Sequence, residues 1–139
     1  MVVPGGEFGK IGKTLGEGAK VGNVVAKAGG ASVPVAKFSE YIFKEGATHG
    51  KDAVFRSFGY GAADSEALAS EFARQGAAKF AVGEYQLNKL DEYGQRITIS
   101  IELRGQGAAA DRIAQINSGW MIRTDRSITL STPFSGFSK

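Results

Sequence analysis

The sequence predicts an α+β domain in which N-terminal helices pack on one side of a four-stranded antiparallel sheet. Three observations lead there. Apolar residues recur at helical spacing between Val35 and Phe80; Ile97-Thr98-Ile99-Ser100-Ile101-Glu102-Leu103 alternates strictly between apolar and polar; and two more alternating runs, around Trp120 and Ile128, are separated by Thr124-Asp125-Arg126. A chain of 139 residues with 42% hydrophobic and 22% charged residues has the size and balance of one domain plus a tail. The tail is expected at the front: residues 1–34 carry nine of the 20 glycines and show no sustained period, so they are read as a linker, with the folded domain over 35–139.

Two motifs in that linker are discounted. Gly12-Lys13-Thr14 resembles the end of a phosphate-binding loop, but the first required glycine position is Glu7. Gly12/Gly16 and Gly18/Gly22 have the spacing of a membrane helix contact, but Lys10, Lys13, Lys20 and Lys27 interrupt it. From Pro34 onward helix signals follow. Ser32 is a candidate cap and Pro34 a candidate first residue for a helix over 34–44 with Val35, Phe38, Tyr41 and Ile42 on one stripe. After the polar loop Glu45 to Gly50, Ala53, Val54 and Phe58 fit a short helix closed by Gly59. Asp64 is placed to cap a third helix whose stripe is Leu68, Phe72, Ala73 and Gly76, continuing through Phe80 to Val82.

Two hairpins complete the prediction. Putting Tyr85 and Leu87 on the same face as Ile97, Ile99, Ile101 and Leu103 requires pairing 87 with 99 and 91 with 95, around a three-residue loop, Glu92-Tyr93-Gly94. In the second hairpin, Trp120, Ile122, Ile128 and Leu130 share a face if 122 opposes 128 across the loop Thr124 to Arg126. The opposite, wet face carries Arg123, Thr129 and Ser131 together with Thr98, Ser100 and Glu102. Thr132 falls on the core side with Leu130 unless Pro133 or a bulge turns the strand end outward.

Composition bounds the chemistry. The absence of cysteine excludes disulfides, thiol catalysis and thiolate metal sites, and a single histidine excludes paired-histidine metal motifs. No metal or other cofactor is expected, nor a spanning helix or a secretory leader. A net charge of +3 and a pI near 9.2 permit a nucleic-acid partner without the dense basic surface of an independent DNA binder. His49, the residue whose unperturbed pKa of about 6.5 lies near neutrality, reads either as a solvated loop histidine or as a general acid/base. In Thr48-His49-Gly50-Lys51, the glycine permits close backbone approach and Lys51 offers a point charge suited to phosphate. Arg96, Arg112 and Arg126 read as ordinary strand-edge solvation, whereas Arg123, central on the wet face beside Thr129 and Ser131, reads either as strand-edge solvation or as a phosphate contact. Ser131 and Thr132 can donate to a phosphoryl oxygen. Trp120 and most phenylalanines belong to the core; Phe134 and Phe137 either close it or form a patch for a partner.

The order of elements resembles the barnase/EndoU/colicin/RelE fold. More closely, Ala47-Thr48-His49-Gly50-Lys51-Asp52-Ala53-Val54-Phe55-Arg56-Ser57-Phe58-Gly59-Tyr60-Gly61, the helix from Asp64, and Gly119-Trp120-Met121-Ile122-Arg123-Thr124 before Ile128-Thr129-Leu130-Ser131-Thr132-Pro133-Phe134 resemble the tRNase toxins at the C-terminus of contact-dependent growth inhibition proteins. The similarity covers roughly residues 35 to 139, and the glycine-rich head resembles the linker that precedes the nuclease in those proteins. The resemblance implies metal-independent cleavage of tRNA through attack of the ribose 2′-OH on the adjacent phosphate, leaving a 2′,3′-cyclic phosphate. It implies His49 as acid/base, Lys51 and Arg123 as stabilisers of the phosphorane charge, Ser131 or Thr132 on a nonbridging oxygen, and Arg104, Thr98 and Thr129 as RNA contacts. The partners it implies are tRNA, a cognate immunity protein and a host factor such as elongation factor Tu, with no stable membrane insertion. It also implies export as the end of a large cell-surface protein and action in the cytoplasm of a target bacterium. The competing expectation is a non-catalytic interaction module, adhesin-associated or immunity-type, that uses the sheet and the Phe134/Phe137 tail. A metal-dependent DNase ranks below both, because the carboxylates are scattered.

Overall fold

A computed structural model describes residues 24–44 and 50–138. Strands β1 (Val25–Ala28), β2 (Ala31–Pro34), β3 (Gln86–Asp91), β4 (Gly94–Arg104), β5 (Ile113–Ile122) and β6 (Ile128–Thr132) form one sheet in the order β1-β2-β6-β5-β4-β3. The helices are α1 (Lys51–Ser57) and α2 (Ser65–Ala81), preceded by a π-helical turn over Lys37–Ile42. The expected four-stranded antiparallel sheet behind N-terminal helices is therefore corrected to a six-stranded mixed sheet. Its two extra strands come from residues 25–34, within the stretch read as linker, of which residues 24–34 are described. The rest of that stretch, with the discounted glycine motifs, lies outside the described residues.

The reason for the correction is local chemistry combined with a distant partner. Val25-Ala26-Lys27-Ala28 and Ala31-Ser32-Val33-Pro34 flank Gly29-Gly30, a two-residue turn in which Gly29 takes φ +53, and they pair antiparallel from Ala28↔Ala31 to Val25↔Pro34. β2 then pairs in parallel with β6 through Ala31↔Ile128 and Ser32↔Thr129. Burial completes the account, since Ala31, Val33 and Val35 are almost wholly enclosed. Ser32 and Pro34, expected to start a helix, are strand residues; the helical turn begins at Lys37 and buries Phe38 and Ile42, while Tyr41 stays at the surface.

The sheet curls around α2, which packs on β1, β2 and β4. The buried face of α2 is Ser65, Leu68, Ala69, Phe72, Ala73 and Gly76; the expected continuation to Val82 is corrected, because the helix ends at Ala81, Phe80 is only partly buried and Val82 is exposed. Asp64 sits at the N-cap position without capping α2; its carboxylate accepts the Gly61 N–H at 2.9 Å and closes the short turn before the helix. Opposite lie Ile97, Ile99, Ile101 and Leu103 of β4, Ile116 and Trp120 of β5, and Ile128 and Leu130 of β6, all buried. Phe38, Phe55 and Phe72 pack edge-on or tilted with ring centroids 5.1–6.3 Å apart, which joins the π-helical turn, α1 and α2 into one aromatic layer. Ser118 is enclosed but satisfied: its Oγ donates to the Ile99 carbonyl and accepts the Trp120 indole N–H, both at 2.8 Å.

The hairpins fare differently. β5–β6 pairs Ile122 with Ile128, the expected register. β3–β4 pairs Leu87 with Ile97 and Asp91 with Gly94, so the expected partners 87/99 and 91/95 are corrected by two residues at one end and one at the other. The turn has two residues, Glu92-Tyr93. An extra residue on β3 between Leu87 and Leu90 forms a bulge, and the Asp91 carboxylate ties the turn by accepting from Tyr93 N at 2.9 Å and Arg96 Nε at 3.1 Å.

Candidate active site

The outer face of the sheet carries Thr98, Ser100 and Glu102, which alternation placed there, opposite the amides of β5. Thr98 opposes Gly119, Ser100 opposes Asn117 and Glu102 opposes Gln115 between β4 and β5. Between β5 and β6 the ladder slips: Trp120 pairs with Leu130, but Gly119 pairs with Thr132, leaving Ser131 as the additional residue of a bulge. Directly opposed residues of an antiparallel pair share a face, so the bulge reverses parity and brings Thr132 to the outer face in one row with Gly119 and Thr98. A Cβ on Gly119 would stand 3.6 Å from Thr132 Cβ, the contact of side chains on the same side.

Beyond Pro133 the chain follows β5. Asn117 N donates to Gly136 O at 2.8 Å, Ser135 N to Asn117 O at 2.9 Å and Ser138 N to Gln115 O at 2.8 Å. Ser138 Oγ donates to Asn117 Oδ1 at 2.6 Å and lies 3.0 Å from Ser100 Oγ. Phe134 folds inward onto Phe55, centroids 6.5 Å apart, while Phe137 remains 56% exposed.

Lys51 opens α1 behind Gly50, whose φ of +107 only glycine adopts readily. Its Nζ donates to Tyr41 Oη at 3.3 Å and lies 5.5 Å over the same ring. One helical turn further on is Phe55, buried in the core, where it touches Phe134. Tyr41 is half-exposed beside Lys51 rather than in the core stripe. Helical spacing assigned it to the core stripe, and nothing in the sequence separates it from Phe38 and Ile42.

The other sequence-assigned residues are dispersed. Arg123 lies past the Ile122↔Ile128 pair at the tip of the β5–β6 hairpin, its N–H donating to Ser127 O at 2.7 Å. At about 3.3 Å per residue, that is about 13 Å along β5 from the Gly119↔Thr132 row. Arg123 thus stands at the opposite end of β6 from Thr132, a separation that parity did not reveal. Thr129 opposes Met121, and its Oγ1 lies 3.3 Å from Ser32 Oγ. Thr98 Oγ1 donates to Asn88 Oδ1 at 2.5 Å. Arg104, at the far end of β4 from the hairpin tips, pairs through Nε with Glu102 Oε2 at 2.5 Å. His49 lies outside the described residues.

The Glu71 carboxyl is pushed up by partial burial, but hydrogen bonds from Arg74 and Gln75 outweigh this and hold it below the usual glutamate value. Hydrogen bonds from Ser127 do the same for Asp125, and burial raises the Tyr60 phenol, with Asp64 and Glu71 adding to it. Among the described residues no three or more His, Asp or Glu side chains cluster as a metal site would need, and no described helix is long and apolar enough to cross a membrane. An open groove of about 620 Å³ runs between α1 and the start of β5, lined by Val54, Phe58, Ile113 and Phe137.

No curated protein and no solved structure matches the chain. A family model does, over residues 25–134, beginning at β1 and ending just after β6. The chain belongs to the family described as a domain of unknown function, DUF6883.

Proposed function

We propose that this domain is the toxic module of an interbacterial competition protein and that it cleaves tRNA without a metal ion. The observation that carries the reading is the bulge at Ser131, which brings Thr132 to the outer face at the end of β6. The sequence allowed Thr132 a place in a phosphate site only on that condition, with Ser131 as the reserve. The motif Thr48-His49-Gly50-Lys51 supports the reading from the sequence side; the six-stranded sheet, which replaces the expected four-stranded one, does not, and the proposal rests on residues rather than fold.

In this reading His49 removes the proton from a ribose 2′-OH, and the 2′ oxygen bonds to the adjacent phosphorus. The bond from phosphorus to the 5′ oxygen breaks, and the departing oxygen takes a proton from the acid form of the catalytic group. Lys51 offsets charge on the phosphorane, and Thr132 or Ser131 donates to a nonbridging oxygen. The proposed partners are tRNA, an immunity protein that covers the site, and a host factor such as elongation factor Tu that presents the tRNA. Delivery is as the C-terminus of a large exported surface protein, with action in the target cytoplasm.

The test is to incubate the domain with total bacterial RNA in EDTA, with and without cell extract, beside His49→Ala. Discrete tRNA fragments ending in 2′,3′-cyclic phosphate are expected. Their yield should fall by about 10²–10⁴ in the variant, the contribution of a positioned acid/base. Fragments that form equally with His49→Ala contradict the assignment.

A second reading, a non-catalytic interaction module, draws on the exposed Ile113 and Phe137 bordering the groove beside α1, 52% and 56% accessible. It predicts no cleavage even with extract.

A further inference from the structure

We propose that the tip of the β5–β6 hairpin grips RNA, with Arg123 and Arg126 each holding a backbone phosphate away from the bond that is cut. This rests on the ribonuclease reading above and deepens it, replacing a role for Arg123 at the reacting phosphate with a binding role.

The first support is a census of the seven arginines. Arg56, Arg74, Arg96 and Arg104 each pair with a carboxylate, those of Asp52, Glu71, Asp91 and Glu102. Arg112 lies 4.8 Å over the Phe58 ring and donates to Ser57 O at 2.9 Å. Arg123 and Arg126 have no carboxylate, carbonyl or ring partner for their guanidinium groups among the described residues, and both are exposed. Asp125 forms no ion pair with either one: its carboxylate accepts from Ser127 N at 3.0 Å and Ser127 Oγ at 2.6 Å and so closes the turn, although its charge lies near enough to Arg123 for the two to interact.

The second support is backbone conformation. Arg126 has φ +72 and is the one non-glycine residue with positive φ among the described residues. The loop is closed by Arg123 N donating to Ser127 O and Arg126 N donating to Arg123 O. Its third position must be left-handed, where glycine or asparagine is the low-cost occupant. An arginine held there against its backbone preference indicates a demand on its side chain that the fold does not make. Two free guanidinium groups on one tight turn suit two anionic oxygens on a flexible strand, the chemistry of a phosphodiester backbone. From the tip to Thr132 the outer face presents Thr129 and Met121 without a carboxylate, so a few nucleotides can lie along β6 between the grip and the proposed cleavage point.

The experiment uses the full chain and a labelled, fully 2′-O-methylated RNA stem-loop, which cannot be cut by a 2′-OH mechanism, titrated by fluorescence anisotropy at several salt concentrations. Thermal unfolding is recorded in parallel. Arg126→Gly is expected to bind several-fold more weakly and to make the logarithmic salt dependence shallower by about 0.7–0.9. Its Tm should stay equal or rise by up to about 3 °C, since glycine accepts the left-handed backbone. Arg123→Gln should lose the same slope, Arg126→Lys should keep it, and Arg56→Gln, taken from an ion pair, should change nothing. Unchanged affinity and slope in Arg126→Gly overturn the proposal. If the wild type cuts native tRNA while the tip variants bind normally, the grip alone fails; if it neither binds nor cuts, the ribonuclease reading fails with it. Tip variants that lose binding to poly-glutamate but keep RNA binding reassign the tip to an acidic protein.

Discussion

Gly76 shows how much of this fold turns on single atoms. A Cβ placed there would lie 2.5 Å from Trp120 Cη2, so the indole packs against bare helix backbone. Gly76→Ala gains up to about 1 kcal/mol of helix propensity but forces a rigid, enclosed ring to move, which costs about 1–3 kcal/mol. The expected outcome is a net loss of stability, read as a lower urea midpoint with an unchanged slope. A rise in the midpoint would show that the indole shifts freely. At this scale the sequence was partly legible: alternation put Trp120 in the core, and helical spacing put Gly76 on the buried stripe. That the two meet depends on tertiary packing, which no local period encodes. Thr132 shows the same limit, because parity places it inward and one bulged residue reverses it.

At the scale of elements, β4 is longer than β3, and its free edge is sealed by side chains. Lys79 Nζ donates to Ser100 O at 2.6 Å, Gln75 accepts from Glu102 N at 2.8 Å and donates to Glu102 O at 2.9 Å, and Tyr60 donates to Arg104 O at 2.5 Å. Glu71 holds Gln75 in place by accepting from its amide at 2.7 Å. Gln75→Ala leaves the Glu102 N–H and C=O without these partners, at about 1–2 kcal/mol, and opens a strand edge. A lower unfolding midpoint together with a concentration-dependent shift in gel filtration is expected; a monomer of unchanged stability would mean that water serves the edge equally well. Element identity was legible where periods were long, as in α2 and β4. Register was legible where the turn was regular, as at Ile122↔Ile128. It failed at Leu87, where a bulge adds a residue that a strict period of two cannot represent.

For the whole molecule, β1 and β2 decide where the domain begins. Their glycine-rich composition hid them, and the β2–β6 pairing that stabilises them joins residues 97 apart in sequence. A chain cut to 35–139 loses buried Val24 and Val33, worth about 1.5–3 kcal/mol each, and uncovers β6 and part of α2, against a total stability of about 5–15 kcal/mol. Circular dichroism should show no cooperative unfolding in that truncation; a sharp transition near that of the full chain would contradict the six-stranded account.

The same overall layout separates the two ends of β6: Thr132 at the bulged end, and Arg123 at the tip. The central claim, that cleavage occurs at the bulged end, is tested most directly by single-turnover cleavage of tRNA over a range of enzyme concentrations with Thr132→Val and Arg123→Gln. The account predicts that Thr132→Val lowers the saturating rate at near-normal half-saturation, whereas Arg123→Gln raises half-saturation and keeps the rate. A saturating rate that falls in Arg123→Gln and holds in Thr132→Val would contradict it.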